Sequence, residues 1–134
     1  MRLTMYSDYA LRTLIFLARN EQDNKQITQI SDVAKFYNIS KNHLTKIVNH
    51  LARTGYIETI RGRGGGIKLK KAPSEINLGT LLRETEESFN LVECFDRQNN
   101  TCPIIDQCGL QLLLHEGLHA FMKVFDQKTL KDII

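Results

Sequence analysis

The residues best equipped for chemistry are three cysteines, Cys94, Cys102 and Cys108, with seven residues between the first two and five between the last two. An odd number of thiols, with no secretory leader at Met1–Met5, argues against a disulfide framework. The spacing is not the paired Cys-x-x-Cys of a zinc ribbon. Three thiolates on one loop suit three corners of an iron–sulfur cluster, because soft irons prefer sulfur. Cys102-Pro103 agrees with this, since proline also follows cysteine in some cluster-binding sequences. The loop offers no evident fourth ligand, so the residues alone leave two readings open: a cluster, or free thiols.

A second set of residues is suited to a polyanion. Arg61 and Arg63 alternate with glycine in Arg61-Gly62-Arg63-Gly64-Gly65-Gly66. Arginine on a thin tip, with Gly64 and Gly65 permitting close backbone approach, fits insertion into a narrow minor groove. Upstream, Ser40, Lys41, Asn42, His43, Thr45 and Lys46 occupy the opening turns of one helical pattern. Asparagine pairs bidentately with adenine, while lysine and serine suit guanine or phosphate. Alone, each set reads as a cap and a solvated face. Side by side they point to DNA. Lys68, Lys70 and Lys71 fit generic phosphate neighbours.

Positioning these groups requires particular elements. Ser7 is a candidate N-cap for a helix to about Arg19, with Tyr9, Leu11, Leu14, Ile15, Leu17 and Ala18 on its apolar face. Thr28 opens a short second helix through Ile30, Val33, Ala34 and Phe36. Ser40 caps a third, in which Leu44, Ile47, Val48 and Leu51 recur at three- and four-residue intervals. The tight turn Tyr37-Asn38-Ile39 between them gives a helix-turn-helix outline. Gly55 stops the third helix. Tyr56–Ile60 and Ile67–Lys70 then read as two strands around the glycine tip, a wing. A short helix is expected over 78–87, an irregular segment over 89–108, and a long final helix from about Cys108 to Phe125. Its stripe of Leu110, Leu113, Leu114, Leu118, Phe121, Met122 and Phe125 is either a dimer seam or packing on its own domain.

The chain has 134 residues and a formal charge of +3, at 42% hydrophobic and 25% charged, which excludes a disordered or fibrous protein. Residues 1–73 hold 13 Lys/Arg against 5 Asp/Glu, or +8; residues 74–134 hold 5 against 10, or −5. This divides the chain into a nucleic-acid half, 1–73, and a cysteine-bearing half, 74–134, with the charge boundary at Pro73. No run approaches the roughly 20 apolar residues of a membrane span, so a cytoplasmic protein is expected. Nucleotide-loop, nucleophile-elbow and paired-histidine zinc motifs are absent, so an enzyme is not expected.

Met1-Arg2-Leu3-Thr4, Ser7-Asp8-Tyr9-Ala10-Leu11-Arg12, Ile39-Ser40-Lys41-Asn42-His43-Leu44, the Arg61–Gly66 tip and Glu93-Cys94-Phe95 with the following cysteines together resemble the Rrf2 family of bacterial winged-helix transcription factors. The resemblance spans essentially the whole chain. It implies a mainly α fold with a small β-hairpin wing, a winged helix-turn-helix plus a long C-terminal dimerisation helix. It further implies a homodimeric repressor on double-stranded operator DNA. A 2Fe–2S or 4Fe–4S cluster would sit on the loop ahead of the long helix, close to the partner's DNA-binding domain. In nitric-oxide-sensitive members the cysteines are joined by an aspartate from the other protomer, and Asp8 matches that position. Read without the resemblance, Asp8 is simply an acid at a helix N-terminus. A carboxylate is a harder ligand than thiolate, so its bond should be the labile one. In one branch of the family a histidine follows the third cysteine within a helical turn; here that place is Gln111, and His115 is the alternative fourth ligand. The expectation is release of the operator when nitric oxide attacks the cluster. Sensors of iron supply or redox state with the same fold, and a structural metal-binding module without an operator, are the alternatives.

Overall fold

Thr4, not Ser7, starts the first helix. The computed structural model describes Met1–Ile134, and in it α1 runs over Met5–Gln22 with the Thr4 side chain accepting the Ser7 N–H at 3.2 Å. The Thr4 hydroxyl reaches forward to the Ser7 N–H and caps the helix one turn earlier, leaving Ser7 inside the helix and fully buried. Ser7 then donates its hydroxyl to Thr85 Oγ1 at 2.8 Å. Asp8 falls in the first turn, where the helix dipole favours an acid.

The reader follows. Helix α2 spans Ile30–Tyr37 and α3 spans Lys41–Arg53, joined through Asn38 in the left-handed region at φ 54°. Thr28 does not open α2 as expected. The cap position is Gln29, without a side-chain cap, and Thr28 exchanges two backbone hydrogen bonds with Ile67, at 2.9 and 2.8 Å. Its buried backbone finds better partners in the hairpin than in a helix end. Gly55, at φ 82°, ends α3 in a Schellman motif: Tyr56 N–H donates to Leu51 O at 2.9 Å and Gly55 N–H to Ala52 O at 3.2 Å. Strands β1 (Ile57–Ile60) and β2 (Gly66–Leu69) pair antiparallel, with Ile57 opposite Leu69 and Ile60 opposite Gly66.

Helix α4, Leu78–Thr85, is capped by Asn77, and the segment to Cys108 holds only two 3-10 turns, at Glu93–Phe95 and Ile105–Gln107. Helix α5 covers Gly109–Asp126, and a last 3-10 turn covers Leu130–Ile133. One core joins Leu14 and Leu17 to Val33, Leu44, Ile47, Leu51, Ile57 and Ile67, and it also takes in Ile76, Leu81 and Leu130. The charge boundary at Pro73 is therefore not a packing boundary.

Helix α5 is the exception to this packing. Of its 18 residues only Met122 is buried. It is moored at its C-terminal end, where Arg83 grips the Asp126 carboxylate with both terminal nitrogens and Asn77 Nδ2 donates to Asp126 O at 2.8 Å. Leu112 and Leu113 are 71% and 64% exposed. Leu114, Leu118, Phe121 and Phe125 form one wall of an open cleft of about 610 Å3, with Leu3, Phe89 and Leu91 opposite. Part of the stripe, Leu110 and Leu113, is therefore left exposed by its own domain. No helix is long and apolar enough to cross a membrane.

Candidate functional site

The groups expected to face DNA lie on two elements fixed by local rules. Ser40 Oγ accepts the His43 N–H at 3.5 Å and sets the start of α3. Ser40, Lys41, Asn42 and Lys46 are exposed, as are Arg61, Arg63 and Gly64 on the wing. Two expected readers are partly engaged elsewhere. Thr45 donates its hydroxyl back to Lys41 O at 2.8 Å, and His43 packs edge-on against Tyr9 with ring centres 5.4 Å apart. Gly65 is engaged within the hairpin. It is buried, its carbonyl accepts from Gln29 Nε2, and a Cβ there would run into the Ile60 carbonyl. A glycine is required at this position to close the turn.

Of the strand lysines, Lys68 pairs with Glu58 across the hairpin at 3.6 Å and Lys71 sits 4.6 Å from the centre of the Tyr56 ring. The Tyr56 hydroxyl donates to Glu84 Oε2 at 2.5 Å. Burial first, and then this carboxylate, push the phenol well above its ordinary value, so it stays a donor. The base of the wing is thereby tied to α4.

All three cysteines are free and half-buried. Cys94 lies in the first 3-10 turn, Cys102 in the irregular stretch, and Cys108 occupies the cap position of α5. Within the single chain no three His, Cys, Asp or Glu side chains converge into a metal-binding group. Backbone hydrogen bonds over 89–108 are local ones, such as Phe95 N–H to Val92 O and Gln107 N–H to Ile104 O. Two contacts hold the segment to α5. Gln111 Nε2 donates to Cys94 O at 3.3 Å, and His115 stacks on Phe95 with centres 3.9 Å apart and planes 2° apart. Gln111 and His115 thus brace the cysteine segment.

Asp8 is elsewhere, on the flank of α1, bound by Arg12. Arg12 Nε donates to Asp8 Oδ1 at 2.9 Å, and Nη2 lies 2.7 Å from Oδ2. The α1 start is also tied to the chain leading into the cysteine segment: Thr4 N–H donates to Glu86 Oε1 at 2.8 Å, beside the buried Ser7–Thr85 bond. Reading the sequence for ligands missed Arg12, Gln111 and Phe95. The four-residue spacing of Asp8 and Arg12, an acid preceding a base on one helix face, is the signal that locates the first.

A capped recognition helix preceded by a short helix and followed by a basic glycine-tipped hairpin defines a winged-helix protein of the DNA-binding regulator class. Residues 3–134 match the profile of Rrf2, described as an iron-dependent transcriptional regulator, and the chain belongs to that family. It is 52% identical over 134 residues to the HTH-type transcriptional regulator NsrR of Bacillus licheniformis, covering all of this chain and 92% of that one. Identity to the NsrR of Bacillus subtilis is 49%, over 90% of that chain. Among solved structures, CymR, the global cysteine regulator of B. subtilis, superposes with a TM-score of 0.76 at 26% identity, over 99% of this chain and 95% of that one.

Proposed function

We propose that this protein is a homodimeric repressor that binds operator DNA through two winged-helix units, carries an iron–sulfur cluster and answers nitric oxide. One observation carries the reading: three free thiols end at the cap of a helix whose apolar face is only partly covered within the chain. A second copy covers that face and brings its own α1 to the cysteine segment. The donor set fits a cluster, since the thiols are soft, half-buried and unpaired, on backbone that few long-range bonds hold in place. Cys94, Cys102 and Cys108 would hold three corners, and Asp8 of the partner subunit the fourth. The identity to proteins named NsrR supports this choice, in line with the family resemblance, which implies an aspartate ligand at the position of Asp8.

When bound, the cluster supplies iron that nitric oxide attacks. What the chain then does follows from its own contacts. Asp8 would be the hardest and weakest of the four donors and the first to let go. With it goes the tie between one protomer's cysteine segment and the other's α1. The two recognition helices lose their fixed spacing, and Ser40, Lys41, Asn42 and Lys46 no longer meet both half-sites at once. A coupling of roughly 1–3 kcal/mol suffices for a useful switch.

The test is anaerobic purification, visible spectroscopy and a nitric oxide titration, read alongside operator binding. A brown protein whose absorption bleaches as the operator is released is expected. A colourless protein after reconstitution with iron and sulfide overturns the cluster. The family's iron-dependent description favours a second reading, a sensor of iron supply. Operator release by an iron chelator, with no response to nitric oxide, selects it.

A further inference from the structure

We propose that Gln29 is a positioning residue for operator recognition: it leaves α2 uncapped and instead holds the wing at a fixed aim relative to the recognition helix. This rests on the reading of the chain as an operator-binding winged helix. Gln29 occupies the cap position of α2, and its side chain makes no cap hydrogen bond. Serine, aspartate or asparagine at that position would cap the helix start. The longer glutamine reaches away from the helix and donates from Nε2 to the Gly65 carbonyl. Gly65 N–H already donates to Gly62 O at 3.0 Å, across the turn that carries Arg63, with Gly62 and Gly64 at φ 91° and 75°. The residue beneath the tip is pinned through both of its backbone polar groups.

The contact lies where α2, α3 and the wing meet. A cleft of about 170 Å3 there is lined by Gln29 and Ser31 from the start of α2, by Lys41, the first residue of α3, and by Thr59 and Ile60 from β1. Two strands of four residues make a hairpin that is marginal without support. Its base is supported by backbone: Thr28 bridges to Ile67, and a Cβ on Gly66 would fall 2.5 Å from Thr28 O. Beyond the last paired residues, Ile60 and Gly66, the Gln29 bond ties the tip to the body of the domain. With the tip held, Arg61 and Arg63 reach the minor groove while Asn42 and Lys46 reach the major groove of the same duplex. Little ordering of the wing is then left to oppose binding.

The experiment compares wild type with Q29S, Q29M, R61A/R63A and the triple variant Q29S/R61A/R63A. All are purified anaerobically and tested on a duplex that wild type selects from a randomised pool. Q29S should weaken binding by about five-fold, the scale of one hydrogen bond. Q29M keeps the length, loses the donor and should match it. In the R61A/R63A background Q29S should change nothing. Amide exchange supplies the second measurement: the Gly65 N–H should exchange faster in Q29S, while Leu44, Ile47 and Leu51 of α3 keep their wild-type rates. Either Gln29 variant binding as well as wild type overturns the proposal. So does a loss that persists without the two arginines, which would make Gln29 a direct DNA contact, and so does faster exchange throughout α3. A wild type that selects no duplex removes the operator reading itself, and this proposal with it. Binding that R61A/R63A weakens and Q29S does not removes only the latter.

Discussion

Asp8 shows how little a residue's type says about its task until its partners are known. Its neighbours favour an ordinary helix-start acid, and the bidentate grip of Arg12 gives it a structural occupation in the isolated chain. As a ligand it has a different test. Asp8→Ala should alter the visible spectrum of the loaded protein or hasten cluster loss, while circular dichroism stays that of wild type. An unchanged spectrum and nitric oxide response would take Asp8 out of the site. On the DNA side, Arg61 is exposed on the wing, and Arg61→Ala should weaken operator binding and lower the salt dependence by about one released counterion. Binding measured across a salt series checks both. The exposed ends of this interface were legible in the sequence, because caps and glycine tips obey local rules. Gly65 and Thr45 were not, because their partners depend on how the hairpin and helix close.

At the scale of elements, the C-terminal end of α4 links the parts. Glu84 holds Tyr56 at the base of the wing, Thr85 holds Ser7 inside α1, and Glu86 holds Thr4 at its cap. Ser7→Ala removes the donor to a buried hydroxyl and should cost about 1 kcal/mol, measured by denaturant unfolding. Gly65→Ala should be worse, about 1–3 kcal/mol, because the added carbon meets backbone at Ile60 that has nowhere to go. Its operator affinity should fall as the wing distorts. The helices themselves were readable from apolar periodicity. Their first residues were less so: Thr4 and Ser7 offer the same capping chemistry one turn apart, and a bond spanning 78 residues, from Ser7 to Thr85, decides between them. Thr28 likewise looked like a helix cap until β2 was there to pair with it.

For the whole molecule, the apolar stripe of α5 was visible in the sequence, but its cover was not, because a seam and a core have the same periodicity. Leu113→Glu should split the dimer, seen as a halved mass in sedimentation, while leaving the winged helix folded. The mooring of α5 has its own pH dependence. The hydrogen bond from Arg83, and then its charge, hold the Asp126 carboxyl below its ordinary value. A depressed acid contributes fully above its unfolded value, about 3.9, and its contribution drains as pH falls through the folded one. Asp126→Asn should therefore flatten the acid limb of the stability curve, and equal acid sensitivity in the variant would discount the pair. With only Met122 buried, α5 would borrow its stability from the second copy in the proposed dimer. Such a helix makes abundance an input. In the proposed dimer, protomers that part at low copy number would loosen the brace under the cysteine segment and shed the cluster with no signal at all. Dilution and nitric oxide would then push the same equilibrium the same way, and the cell's supply of this protein would set the threshold at which it listens.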